Sequence, residues 1–440
     1  MELINIFHEM EIDEKLFYIG DDIGLPVWDI IRYNVYVRYY YPKKERDIYS
    51  SNSKLLFSDY GILIPDTINF MLKMFLVKGD NIVLTNSRYY NLNRKRYDKN
   101  ALPIISELGN NCLILESIIG RKYAYKCLYD SYLFFRKIRC SVMLPYAYYV
   151  KVEQALEKYL KVNLFSYSEA NKIYNNFISD FKYYNFIFKS KKTKKVFIAT
   201  GNPKAIILAA KRNNVKTFLL QHAMIEFDCV EYSFPEEISL NDNILFSDYL
   251  LVFGKNWCKG INVPVKKILS IGQNMSCGML SVISDNSVLI ISTIIHGGEL
   301  KILTKELSVL LPQIKFVYKL HPNEYKLYDD YVSYFKDNNN VSVLTDQVSI
   351  DKLIALSQLV ILIISSVLYE ALSQNKKVAV YKKLNYSKLF RSGEYKNLYS
   401  FDSAYEVKQI ISEPYFVDEI DFYQPLNYNL IRELCKNNFN

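Results

Sequence analysis

Short apolar runs, each closed by a turn and followed by apolar positions three and four apart, set the rhythm of this chain from residue 81 onward. Runs of that length read as buried strands, and the spacing that follows them reads as amphipathic helix. Strands are predicted at 81–85, 112–116, 196–200, 217–220, 250–253 and 267–271, and again at 288–291, 314–320, 341–344, 359–364 and 378–381. Helices are predicted at 102–108, from Pro203 to about Arg212, at 299–311, in the segment ending at Leu356, and at 367–373. Such alternation dictates parallel sheets joined by right-handed crossovers.

The remaining stretches are helical in pattern. Residues 28–41 form an aromatic helix with Tyr33, Tyr36 and Tyr40 at one-face spacing and with Arg32 and Arg38 among them. Residues 62–77 are apolar and helical, 121–190 read mainly as helices, and 429–437 as a last helix. The basic run 189–195 reads as a solvated connector or a contact for phosphate headgroups. At 440 residues two domains are expected. The fold class is therefore α/β, with two Rossmann-like domains facing a cleft in a GT-B-like plan. Residues 1–272 make an N-terminal, acceptor-side domain with helical elaborations. Residues 273–440 make the donor domain, whose last helix crosses back.

Composition narrows the field. Half of the residues are hydrophobic, enough for two cores, and no run reaches the roughly 18–20 apolar residues of a membrane helix. The first residues lack a basic region followed by an apolar one, so no signal peptide is read and a cytoplasmic location is expected. The net charge of +9, with 39 Tyr and 25 Phe, fits peripheral contact with the inner membrane face, or else a codon bias. No nucleic-acid-binding signature is present, and nucleic acid is not an expected partner. The seven cysteines are widely spaced, which points to reduced thiols rather than zinc ligands or disulfides.

The chemistry gathers where strands end. In open parallel α/β sheets ligands bind at the carboxyl ends of the strands, and helix N-termini there attract anions. Lys319-Leu320-His321-Pro322-Asn323-Glu324 and Ser365-Ser366-Val367-Leu368-Tyr369-Glu370 each follow a predicted strand. His321 can donate to a phosphate oxygen, Pro322 suits the first turn of a helix, and Ser365 and Ser366 can cap a helix or hold a phosphate. Glu370 can accept from ribose hydroxyls, or serve the helix dipole. His296, beside Gly297-Gly298, is a candidate to touch phosphate or acceptor. His222 ends another strand. Arg88 and Arg94, after the first strand, are candidates to hold an acceptor, with Asp98 beside them. No Asp-x-Asp, Gly-x-Gly-x-x-Gly or P-loop motif occurs, so metal-dependent GT-A, dinucleotide redox and P-loop chemistry lose their signatures.

The His-Pro element, followed some forty residues later by the Ser-Ser element, resembles the motifs of bacterial surface-polysaccharide transferases: sialyltransferases and polysialyltransferases, Kdo transferases and teichoic-acid glycerophosphotransferases. The resemblance spans about residues 196–382. It implies a GT-B-type fold, a CMP- or CDP-linked donor, no catalytic metal and no further cofactor, with donor phosphate and nucleotide bound by His321, Ser365 and Ser366. The glycerophosphotransferases carry Gln-His-Gly where this chain has Gln221-His222-Ala223, which makes His222 the first candidate for general base and Asp98 the second. The acidic-acidic-Gly element of the sialyltransferases has only a near match in Asp21-Asp22-Ile23-Gly24. The expectation is an inverting glycosyltransferase of O-antigen or capsule synthesis. It would move sialic acid or a related acidic sugar from a CMP donor to a lipid-linked or free oligosaccharide. The alternatives are a CDP-glycerol- or ribitol-type transferase, a non-catalytic polysaccharide-binding protein of the same fold, and a sugar-nucleotide epimerase.

Overall fold

A computed structural model describes residues 3–18, 24–40, 76–77, 79–86, 90–92, 95–117, 142–162, 166–199, 203–222, 224–225, 229–238, 244–273, 286–294, 296–382, 395–417 and 420–436. The chain forms two compact units. One comprises Met1–Phe253, Trp257–Ile271 and Leu426–Asn440, the other Gly254–Asn256 and Gly272–Pro425.

The first unit opens with α1 (Leu3–Asp13) and α2 (Val27–Tyr40). Its sheet comprises β1 (Asn81–Asn86), β4 (Cys112–Ser117), β5 (Lys195–Ile198), β6 (Lys216–Leu220), β7 (Tyr249–Val252) and β8 (Lys267–Ser270). The strand order is β4-β1-β5-β6-β7-β8, parallel throughout. Between β1 and β4 lie a hairpin of β2 (Tyr90–Leu92) with β3 (Lys95–Tyr97) and α3 (Leu102–Leu108). Then come α4 (Tyr146–Leu160), α5 (Tyr167–Lys191) and α6 (Lys204–Arg212). Phe197, Phe218 and Tyr249 are direct cross-strand neighbours, so their rings stack in a row with centroids 4.8 Å apart at each step.

The second unit holds β9 (Ser287–Ile291), α7 (Gly297–Leu310), β10 (Lys315–Lys319), α8 (Tyr328–Tyr334), β11 (Val341–Leu344), α9 (Ile350–Leu356), β12 (Leu359–Leu362), α10 (Val367–Ser373), β13 (Lys377–Tyr381), β14 (Leu398–Phe401) and α11 (Ala404–Ser412). Its order, β11-β10-β9-β12-β13-β14, is again parallel throughout. In order of appearance that is 3-2-1-4-5-6, the dinucleotide-binding Rossmann order, with its switch point between β9 and β12. β9, β12 and β13 are buried along their whole length, as strands covered on both faces must be. Leu300, Leu303 and Leu307 of α7 and Val407 and Ile410 of α11 close over one face.

The last helix, α12 (Tyr428–Cys435), belongs to the first unit. Ile431 and Leu434 join the core formed by Ile104, Leu108 and Phe218. Lys195, buried in β5, donates through Nζ to the carbonyls of Leu434 and Lys436, capping the negative end of that helix. Lys377 in β13 does the same for α11, donating to Ile410 at 3.0 Å and Ile411 at 2.8 Å. Among the described residues no helix is long and apolar enough to cross a membrane.

The expected α/β class with two Rossmann-like domains is what the chain has. Four local readings change. Lys95, Arg96 and Tyr97 lie in β3 rather than in a loop. β14 and α11 were not anticipated. The tyrosine stripe of α2 divides: Tyr36 is buried against Phe7 at 5.6 Å, while Tyr33 is 37% exposed. The basic run 189–195 is only partly solvated. Lys191 donates to the Val77 carbonyl at 2.7 Å, Lys194 pairs with Asp80 at 2.9 Å, and Lys195 is 2% exposed. The predicted helix at 62–77 lies outside the described residues apart from its last two.

Candidate functional site

In the second unit, the turns after β9, β10 and β12 lie on the carboxyl edge of three adjacent strands. The turn after β9 contains Ser292, Thr293 and His296 and leads into Gly297-Gly298 at the start of α7. That helix begins without a side-chain cap, which leaves its first N–H groups open to an anion. A Cβ added at Gly298 would meet nothing within 4 Å, so the backbone is approachable there. His296 itself is 6% exposed, and its backbone N–H donates to Thr293 Oγ1 at 3.3 Å.

His321 caps a 3-10 turn, Pro322–Leu327. Its Nδ1 accepts the Asn323 N–H at 3.2 Å. A ring nitrogen that accepts carries no proton, so the remaining proton is on Nε2, ready to donate. Burial pushes the His321 pKa down; the nearby Glu324 opposes that shift and Lys319 adds to it. The ring is thus a neutral single donor at neutral pH. Lys319 folds onto Tyr325, donating to its hydroxyl at 3.0 Å, and burial lowers its pKa too.

A buried polar network holds this edge from behind. Glu324 is 4% exposed. It accepts from the His321 backbone N–H at 3.1 Å and from the Tyr331 hydroxyl at 2.8 Å. Tyr318 donates to the Gly297 carbonyl at 3.0 Å and lies 3.2 Å from Ser292 Oγ. Burial pushes the Tyr331 hydroxyl up to about 12. Gly297 is the closest point of contact: a Cβ there would stand 2.5 Å from both Glu324 Oε1 and Tyr331 OH. The start of α7 and the His321 turn are therefore tied into one rigid piece.

Ser365 and Ser366 divide their work. Ser365 Oγ accepts from the Val367 N–H at 3.3 Å. Ser366 occupies the N-cap position of α10 with its side chain exposed and makes no capping bond. Glu370 lies in the first turn of the same helix, partly buried, and its charge is felt by Tyr423.

In the first unit, His222 lies two residues beyond the end of β6 and is partly buried. It lines a cavity open to solvent, together with Asp29, Arg32, Tyr33, Lys204, Glu231, Tyr232 and Phe246. Asp98 has a different task. Its carboxylate accepts from Thr85 Oγ1 at 3.1 Å and from the N–H groups of Asn100 at 2.9 Å and Ala101 at 3.3 Å. It closes the turn into α3 as an Asx-type cap does. Arg88, Arg94 and Asp21, Asp22 and Ile23 lie outside the described residues.

Several members of these sites escaped sequence reading. Glu324 had a usable signal, since a capping residue three before a Glu is the capping-box spacing. Tyr318, Tyr331, Lys204 and Glu231 had none; the partners of Tyr318 and Lys204, Gly297 and Asp29, are distant in sequence.

The chain matches no protein-family model and no curated protein. Among solved structures it is similar to UDP-GlcNAc 2-epimerase from Methanocaldococcus jannaschii, in complex with UDP-GlcNAc and UDP (13% identity, 80% of this chain and 98% of that chain, TM-score 0.45). It is also similar to UDP-GlcNAc 2-epimerase from Neisseria meningitidis bound to UDP-GlcNAc (15% identity, 75% and 89%, TM-score 0.42). A third is HepE from Anabaena in complex with UDP and glucose (12% identity, 76% and 89%, TM-score 0.38). At these scores no likeness transfers an activity, and the functional reading rests on the geometry of this chain.

Proposed function

We propose that the protein is an inverting glycosyltransferase of bacterial surface-polysaccharide synthesis, whose second unit binds the nucleotide and phosphates of a CMP-linked acidic-sugar donor. One observation carries the reading. The His-Pro turn, the Ser-Ser turn and the uncapped Gly297-Gly298 helix start lie on one carboxyl edge, around the switch point of a 3-2-1-4-5-6 sheet.

The parts have distinct roles in this reading. N–H groups of α7 and the Ser366 hydroxyl donate hydrogen bonds to phosphate oxygens. His321 Nε2 donates to the oxygen that gains charge as the sugar–phosphate bond breaks. The donor needs no metal ion, because these donors meet the phosphate charge themselves. A hydroxyl of the acceptor attacks the sugar carbon in line, and a general base takes its proton. His222 remains a candidate for that base.

Thermal shift of the full chain with CMP, CDP and UDP, followed by turnover with CMP-sialic acid, CMP-Kdo, CDP-glycerol and UDP-GlcNAc, tests it. A ligand that binds only the folded state raises the melting point. His321→Ala and the double substitution Ser365→Ala/Ser366→Ala are expected to abolish the CMP shift. Near wild-type transfer by both variants sinks the proposal. Transfer of glycerol phosphate selects the polyol-phosphate alternative, and interconversion of UDP-GlcNAc without an acceptor selects an epimerase.

A further inference from the structure

The cavity of the first unit has a charge pattern of its own. Arg32 is 3% exposed and fully committed. It donates to both Glu11 oxygens, at 2.5 and 3.0 Å, to Ser233 O at 2.8 Å and to Val230 O. Its guanidinium also lies over the Phe234 ring at 4.5 Å. Lys204 pairs with Asp29 at 2.5 Å, and the other Asp29 oxygen accepts from the Leu245 N–H at 2.7 Å. Both cations are thus neutralised by buried carboxylates, and neither has charge left over for an anion.

Glu231 is different. It lines the same cavity, and no described residue donates a hydrogen bond to its carboxylate. It is partly exposed on the cavity wall, and carboxylates held away from bulk water otherwise have donors. The walls beside it are the rings of Tyr33, Tyr232 and Phe246 and the side chains of Ile207 and Leu219. Burial raises the Glu231 pKa, with only Lys204 opposing, and burial, with Glu231 adding to it, raises Tyr33 to about 12.

The geometry points to a binding site for one face of a neutral, hydroxyl-rich sugar ring, with Glu231 accepting a hydrogen bond from one of its hydroxyls. Aromatic walls suit the C–H faces of such a ring. The Glu231 carboxylate, an acceptor without a donor among the described residues, suits its O–H groups. The two closed ion pairs disfavour an anion, and Lys204 near Glu231 disfavours a cation. Naming this ligand the acceptor of the transfer rests on the function proposed above; the binding site does not.

Saturation-transfer NMR on the full chain, with methyl pyranosides of gluco, galacto, manno and N-acetyl configuration, tests the site without any nucleotide. Millimolar binding is expected for so small a ligand. Glu231→Gln is expected to weaken it roughly tenfold or more, the effect of losing a charge-assisted bond. The melting temperature of Glu231→Gln is expected to hold or rise, because no protein donor loses its partner. Four outcomes overturn the inference: no pyranoside binds; binding survives in Glu231→Gln; the variant melts markedly lower, which marks a structural carboxylate; or inorganic phosphate displaces the pyranoside. The CMP thermal shift is read on the same samples. If it is absent while a pyranoside binds, the donor reading fails and this site stands.

Discussion

Glu324 holds the backbone N–H of His321 at 3.1 Å, so the residue assigned to the donor phosphate is fixed through its own main chain. The same carboxylate accepts from Tyr331 at 2.8 Å. Removing it leaves a buried N–H and a buried hydroxyl without their acceptor. Glu324→Ala is expected to cost roughly 2–4 kcal/mol and Tyr331→Phe about 1 kcal/mol, read from urea midpoints. If Glu324→Ala is neutral, the network does not hold the turn.

Gly297 and Gly298 are neighbours with opposite environments. A Cβ at Gly297 meets Glu324 Oε1 and Tyr331 OH at 2.5 Å, whereas at Gly298 it meets nothing within 4 Å. Gly297→Ala is expected to destabilise by about 1–3 kcal/mol through overpacking. Gly298→Ala is expected to be neutral or slightly stabilising, yet to weaken any phosphate held by the start of α7. Calorimetric melting with and without CMP separates the two, and equal melting temperatures would remove the steric argument.

His321 and His8 both have pKa values pushed below the ordinary 6.5, in each case first by burial. The folded state prefers the neutral ring, so the unfolded chain takes up protons first as pH falls. Stability is therefore complete above about pH 6.5 and declines as pH drops through the folded values. Urea midpoints from pH 8 to 5 should fall, and less steeply in His321→Gln. Glu231, with a raised pKa, acts in the opposite sense, but it is common to both proteins and leaves the comparison intact. Equal slopes in the two proteins contradict the assignment.

Arg32 and Glu11 form a buried pair, both nearly inaccessible. Glu11→Gln strands a buried guanidinium and is expected to cost about 3–5 kcal/mol. Replacing both, as Glu11→Leu with Arg32→Met, should cost much less. A double-mutant cycle by denaturation measures this, and a single variant without effect would show that water reaches the pair.

Lys195 links β5 to the carbonyl end of α12. Lys195→Met keeps the aliphatic packing and removes the cap. The expected loss is about 1–3 kcal/mol, with faster amide exchange in α12 than in α6. Unchanged exchange in α12 would contradict the capping role.

The alternation of short buried runs with 3.6-residue patterns was enough to place the parallel strands and most helices, because parallel strands covered on both faces must be continuously apolar. The polar residues His321, Ser365 and Ser366 stood out for the same reason: each interrupts or ends such a run. Asp98 was legible as a carboxylate near a strand end but not as a turn cap. The donors that occupy it include the Thr85 hydroxyl, and no local pattern announces that bond. β14 is only four residues long, too short for a pattern to show, and α11 was missed although Ala404, Val407, Ile410 and Ile411 stand at one-face spacing.

Sequence alone thus determined the α/β class and the strand-end placement of the His-Pro and Ser-Ser turns. Tertiary structure alone decided the strand order 3-2-1-4-5-6, the tautomer of His321, the clamp of Glu324 and Tyr331 on Gly297, and the cavity around Glu231. Strand character is written in nearest-neighbour periodicity. Strand order, proton placement and pocket chemistry depend on which distant residues meet, and that is settled only when the sheets assemble and their buried polar groups find partners.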